Sequence, residues 1–280
     1  RDDREHAVGA LRASVRVDTA AGPVTLSGGA ADREFGAYAF YGTRYPNQQE
    51  STRTRSLGLS ADLAVGGGWS LAPSATARSH HDDFVLERTN PSFYRNVTDS
   101  DRSAFRLVAR HALVGGTRAF GAEAGRDAIE STNLGDHDRA RQAAFAELGR
   151  SFSTASPSSG GFRAGLRVDR YDDYGSRVSP QLAAWVALAK GLRARASAGT
   201  AFRVPTYTEL YYSDPQTVGS PDLSPEKATN AEAGLTWDAG AVTLDAAVFQ
   251  RHGTDLIDYV RSSPSEPWRA TNVRTADTLG

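Results

Sequence analysis

Between Leu192 and Arg203 every second residue is apolar or small and the residues between them are repeatedly arginine. Leu192, Ala194, Ala196, Ala198, Thr200 and Phe202 fall on one face, and Arg193, Arg195, Ser197, Gly199, Ala201 and Arg203 on the other. A period of two means a β-strand with one oily face and one wet face. The same alternation recurs along the chain: Leu11 to Val17, Val24 to Ala30, Leu57 to Val65, Trp69 to Ala77, Phe105 to Ala109, Phe120 to Ala124, Phe162 to Val168 and Val242 to Val248. About thirteen candidate strands emerge over the 280 residues, and no helical period is long enough to compete. The alternation weakens at Leu86 to Ser100, Ser131 to His137 and Arg139 to Phe152, so these stretches are expected to be loop or poorly defined strand.

The connections alternate in length. Short ones fall at Ala20 to Gly22, Gly66 to Gly68, Gly115-Gly116, Ser153 to Gly160, Lys190-Gly191 and Ala239-Gly240, with mostly longer ones between them. A membrane barrel with tight turns on one side and extended loops on the other has this rhythm, and strands of about 10 residues suit it better than the ~5–6 usual in soluble sheets. In such a barrel the apolar side chains face lipid and the polar ones a lumen, which accounts for the arginines. The expected fold is therefore all-β, an antiparallel transmembrane β-barrel. Trp69 and Trp237, beside short turns, are expected in an interfacial aromatic girdle. The alternative is a soluble sandwich or propeller with these aromatics in its core.

Composition removes several classes. Hydrophobic residues make up 39% and no run reaches the ~18 apolar residues of a membrane helix. With 32 basic and 33 acidic residues and no basic block, no nucleic-acid partner is expected. There are no cysteines, hence no disulfides or thiolate metal sites. His80-His81-Asp82-Asp83 has metal-ligating residue types, but neighbours on a strand point to opposite faces, so no metal site is expected there. No nucleophile arrangement stands out, so neither catalysis nor a cofactor is expected.

The longer connections carry the binding candidates. Phe40, Tyr41, Tyr45, Phe93, Tyr94, Tyr207, Tyr211 and Tyr212 are loop aromatics, which give rigid amphipathic contact area for a ligand; girdle or loop packing is the competing role for each. Arg193, Arg195, Arg203 and Glu226 are expected to face the lumen, with Arg203 and Glu226 paired across the base of a loop.

Around that loop an ordered set of motifs appears: Phe202-Arg203-Val204-Pro205-Thr206, Glu209-Leu210-Tyr211-Tyr212, Gly219 to Glu226 and Glu232-Ala233-Gly234. In this order they resemble the barrel signature of TonB-dependent outer-membrane receptors. Phe35-Gly36-Ala37 with Phe40-Tyr41-Gly42, Ser131 to Gly135, and Asp255 to Tyr259 with Asn272 resemble segments of the cobalamin and siderophore branches, so the resemblance spans nearly the whole chain.

The resemblance implies a bacterial outer-membrane receptor whose barrel of about 22 strands encloses an N-terminal plug. Such a receptor takes up a scarce small-molecule ligand, a ferric siderophore or cobalamin, using energy from the TonB complex. Its partners would be outer-membrane lipid, that ligand, and the TonB complex acting through the plug region. No plug or TonB box precedes Arg1 and no closing aromatic strand ends at Gly280, so residues 1–280 are expected to be one internal barrel fragment with about thirteen of those strands. A passive porin-type channel and, further off, a soluble all-β binding protein are the alternatives.

Overall fold

The computed structural model describes residues 6–37, 45–153 and 159–280. Its strands are β1 (His6–Thr19), β2 (Gly22–Gly36), β3 (Gln49–Ala61), β4 (Leu63–Gly66), β5 (Trp69–Val85), β6 (Arg95–Leu113), β7 (Gly116–Ser131) and β8 (Gly135–Ser153). They continue with β9 (Ser159–Tyr171), β10 (Gly175–Ala189), β11 (Leu192–Arg203), β12 (Thr217–Val218), β13 (Glu226–Asp238), β14 (Thr243–Val260) and β15 (Trp268–Leu279). One five-residue helix, α1 (Tyr207–Tyr211), lies in the connection from β11 to β13. Thirteen of these strands have 12 or more residues; β4 is a short continuation of β3 past Asp62, and β12 is a two-residue strand in the same connection as α1.

All strands belong to one sheet, in which β1 to β3, β5 to β11 and β13 to β15 follow one another in chain order and pair antiparallel. The sheet is not closed among the described residues: one edge of β1 is unpaired, and the outer edge of β15 is met only by the parallel β12. This is a partial antiparallel barrel wall.

Register carries the two faces across the sheet. Leu26 pairs with Leu59, Leu59 with Ala75, Ala75 with Phe105, Phe105 with Ala124, Ala124 with Gln142, and further along Ala194 with Leu235 and Leu235 with Ala246. Among the described residues nothing packs on this apolar face: Leu11 is 71% exposed and Val248 66%. A soluble sandwich covers such a face with a second sheet; the described residues form one sheet only, ordered along the chain as a barrel wall is. The buried residues are few, and Leu210, Leu223 and Ala270 form a small cluster beside α1 rather than a central core.

Short connections gather at one rim: Ala20-Ala21, Gly67-Gly68, Val114-Gly115 and Lys190-Gly191. Gly66, Gly67 and Gly68 all have positive φ (87°, 59° and 77°), a backbone path that side-chain-bearing residues rarely follow.

The strands differ from expectation in three places. The stretch Ser131 to His137 is not a long break but a turn of Thr132 to Leu134, with Ser131 still paired to Gly135. The Ser131 hydroxyl accepts from the amides of Asn133 and Leu134, and Gly135 takes φ 81°, so the turn closes within three residues. The lapse at Leu86 to Ser100 is loop only to Tyr94, because polar residues from Arg95 onward pair in register with His80 to Val85. The weak stretch Arg139 to Phe152 is continuous strand throughout β8. Where β6 and β8 run beyond the apolar band, near residues 95–100 and 135–140, both faces are largely polar, which erases the alternation but not the backbone pairing; within the band β8 blurs it by carrying Ala143 and Phe145 on the polar face beside Ala144 and Ala146 on the other.

Candidate functional site

The connection of 22 residues from 204 to 225 is anchored to the polar face at both ends. It starts with a capping box: the Thr206 hydroxyl accepts from the Glu209 amide, and the Glu209 carboxylate accepts from the Thr206 amide at 2.7 Å. Glu209 also takes two bonds from Arg203, at 2.8 and 2.9 Å, while Arg203 Nε donates to Glu226 at 2.6 Å. The pair expected across the loop base is thus a three-residue network. Burial favours the protonated form of Glu209, but the bonds from Arg203 and Thr206 outweigh it and hold the carboxyl below its usual value.

Residues of β7 and β8 fix the helix to the wall. Asp127 and Arg139 are paired in register, and Asp127 receives Arg102 on the same polar face. The Tyr207 hydroxyl donates to the Asp127 carbonyl at 3.0 Å. Arg139, whose side chain is only 7% exposed, donates to the Pro205 carbonyl at 2.9 Å and to Asp173 at 2.6 Å. Its guanidinium lies 5.1 Å from the ring centroids of both Tyr174 and Tyr207. Two residues earlier on the same face, His137 stacks on Tyr211 with centroids 3.6 Å apart. Burial, countered in part by Arg139 and reinforced by nearby carboxylates, pushes the Tyr207 hydroxyl up to about 12, so it remains a hydrogen-bond donor at neutral pH.

The far end is held as firmly. Asn272 donates to the Ser224 carbonyl and accepts from its amide, at 2.9 and 2.8 Å, and donates to the Asp255 carbonyl at 2.6 Å. Thr217 pairs with Trp268, and Leu223 packs with Leu210 and Ala270. The connection therefore lies across the polar face as a structured plate carrying Tyr207, Tyr211 and Tyr212.

Tyr45, Phe93 and Tyr94 form a second aromatic group at the same rim. Tyr45 and Phe93 meet at 5.7 Å, Tyr94 meets Phe84 at 6.3 Å, and Asn133 donates to the Tyr94 hydroxyl at 3.1 Å. Tyr212 donates to Asp214 at 2.9 Å; burial first, then that bond, raises its pKa, and Tyr94 is among the neighbours that add to the rise. Phe40 and Tyr41 lie outside the described residues.

Arg193, Arg195, Arg203 and Glu226 share the polar face. Arg195 grips Asp245 with two bonds at 2.6 and 2.8 Å and approaches Glu232 at 3.6 Å. His80 and His81 diverge: His80 meets Thr54 on the polar face, and His81 meets Asp99 on the other, each at 2.8 Å. Sequence reasoning missed His137, Arg139, Asp173 and Tyr174. A His-x-Arg pair on one strand face was the only trace of the first two, and nothing in it named the partners.

Residues 3–280 match the family model described as TonB dependent receptor-like, beta-barrel. The vitamin B12 transporter BtuB of Photobacterium profundum is 32% identical over 122 residues, 42% of this chain and 20% of that protein. The vitamin B12 transporter BtuB of a Vibrio vulnificus strain is 26% identical over 152 residues, 54% of this chain and 23% of that protein. Among solved structures, the siderophore receptor PirA from Pseudomonas aeruginosa superposes with TM-score 0.77 at 15% identity, covering 98% of this chain and 52% of that one. The Serratia marcescens hemophore receptor HasR gives 0.76 at 14% identity, covering 98% and 51%. These two likenesses show the fold. The chain spans about half the length of the solved receptors, and its matches cover about a fifth of the curated relatives.

Proposed function

Because the chain belongs to the TonB-dependent receptor-like β-barrel family, we propose that it forms part of the wall of an outer-membrane receptor for energy-coupled uptake of a scarce ligand. In this reading the exposed apolar face meets outer-membrane lipid. The polar face, with Arg193, Arg195, Arg203 and Glu226, lines the lumen. Energy comes from the TonB complex acting through a plug region in the whole protein. Tyr207, Tyr211 and Tyr212 in the connection, with Tyr45, Phe93 and Tyr94 opposite, offer the ligand its contacts.

The observation that carries the proposal is the connection over residues 204–225, which is bonded onto the polar face instead of standing clear of it. A passive pore needs an open water path, whereas a receptor needs rigid aromatic contact area beside its lumen. Both curated relatives described above are named vitamin B12 transporters, and this favours cobalamin over a ferric siderophore as the first ligand to test.

Deletion of the parent gene tests the proposal. Uptake of labelled cobalamin or of a ferric siderophore should fall in the deletion strain and should also fall in the parent strain when the proton gradient is collapsed. Uptake that depends on the gene but ignores the gradient would establish the passive channel instead. A full-length product recovered in the soluble fraction would establish the soluble binding protein.

A further inference from the structure

At the short-turn rim, Trp69, His111 and Arg118 occupy one cross-strand row on β5, β6 and β7, since Trp69 pairs with His111 and His111 with Arg118. The row is on the apolar face, next to the level of Leu71, Ala109 and Phe120. Trp69 and His111 rings meet at 4.6 Å, and the Arg118 guanidinium lies 5.3 Å from the indole centroid. Arg150 on β8 sits on the same face and rim, paired with Gly116 and flanked by the exposed Phe152 and Phe162.

Arg118 and Arg150 are both exposed, and neither has a carboxylate partner among the described residues. The nearest acidic side chain on β8, Glu147, belongs by alternation to the polar face. At the opposite rim of this face Arg53, Arg95 and Arg126 each hold a carboxylate, Asp32, Asp83 and Asp138, although Arg55 and Arg170 do not.

We propose that the row Trp69–His111–Arg118, with Arg150, is a binding site for the phosphate of an anionic phospholipid in the leaflet at the short-turn rim. The inference rests on the membrane reading above. Guanidinium groups match phosphate oxygens in geometry and charge, and these two lie at the edge of an exposed apolar band whose continuation in a bilayer is acyl chain. Trp69 supplies the amphipathic ring suited to the same depth, and its face orients Arg118.

The test uses the full-length parent protein purified in detergent with added dioleoyl-phosphatidylglycerol or dioleoyl-phosphatidylcholine, with bound lipid read by native mass spectrometry. The wild type should retain several-fold more phosphatidylglycerol than phosphatidylcholine, and the Arg118→Gln/Arg150→Gln double variant should lose most of that preference. Arg126→Gln, at the far rim, should keep it. Inorganic phosphate at millimolar concentration that displaced the lipid fully would show a free-anion site and overturn the lipid assignment. Equal phosphatidylglycerol retention by wild type and double variant would overturn the site while leaving the membrane reading intact. A soluble parent protein would remove the membrane reading and this site together. Circular dichroism of each variant confirms that the barrel has formed before lipid is counted.

Discussion

The ring of His137 lies face to face with that of Tyr211, centroids 3.6 Å apart and planes 9° from parallel, so a strand of the wall and the helix of the connection share one stacked contact. His137 Nε2 is meanwhile 2.7 Å from the Leu134 carbonyl, which fixes the orientation of its ring. An aromatic pair contributes about 0.5–1.5 kcal/mol beyond its burial. His137→Ala should therefore raise amide exchange across residues 207–212 of the full-length protein by a few-fold to about tenfold. Exchange there that matched the wild type would show that the stack does not hold the helix.

Arg139 is the stronger anchor. Its removal abandons Asp173 and the Pro205 carbonyl together. Removing one partner of a buried ion pair costs roughly 3–5 kcal/mol, and the partial exposure of Asp173 brings the expected cost nearer to about 2 kcal/mol. Arg139→Lys should not restore the wild type, because an ammonium cannot serve Asp173, a carbonyl and two ring faces with one planar group. Exchange free energies across residues 204–212 check both variants, and equal values for Arg139→Lys and wild type would contradict the role given to the guanidinium.

These two residues also show where the sequence stops being legible. The alternation that reveals β11 comes from an apolar face with nothing packed on it among the described residues, and most strands crossing that band repeat the signal; β8, with alanines on both faces, blurs it. At the long-loop rim both faces are polar, so β6 and β8 extend past the band without any periodic trace. The motif from Phe202 to Glu226 marked the connection, and Arg203 with Glu226 could be paired from strand ends alone. Arg139 could not be found in this way. Its partners come from a turn 34 residues away and a carbonyl 66 residues away, and they meet only because β8 to β11 pair in order.

The connection should respond to acid through Glu209. Its carboxyl is held below the usual glutamate value of 4.5 in the folded protein. The stabilisation is therefore complete above that value and is lost as pH falls through the lower folded value. Proteolysis within residues 204–225 should accelerate in the wild type as the pH is lowered past the ordinary glutamate value and through the lower folded one. Glu209→Gln should be cleaved faster at neutral pH and show a flatter acid dependence; an equally steep rise in that variant would assign the effect to another group.

On the polar face the Phe145 ring occupies the space that a Gly121 side chain would need, and it also receives Arg106 at 5.0 Å and Arg167 at 5.8 Å over its face. Gly121 and Phe145 are directly paired across β7 and β8, so the missing side chain is what lets the ring lie flat on the sheet. Gly121→Val should displace the ring and cost about 1–3 kcal/mol, the usual range for overpacking. The loss should appear as a lower thermal midpoint of the full-length barrel, and most of the Gly121→Val cost should vanish when it is made in a Phe145→Ala background and compared with Phe145→Ala alone, because the added branch then has room. If instead the two changes simply added, the ring and the glycine would be independent, and the close approach would not be what selects glycine at this position.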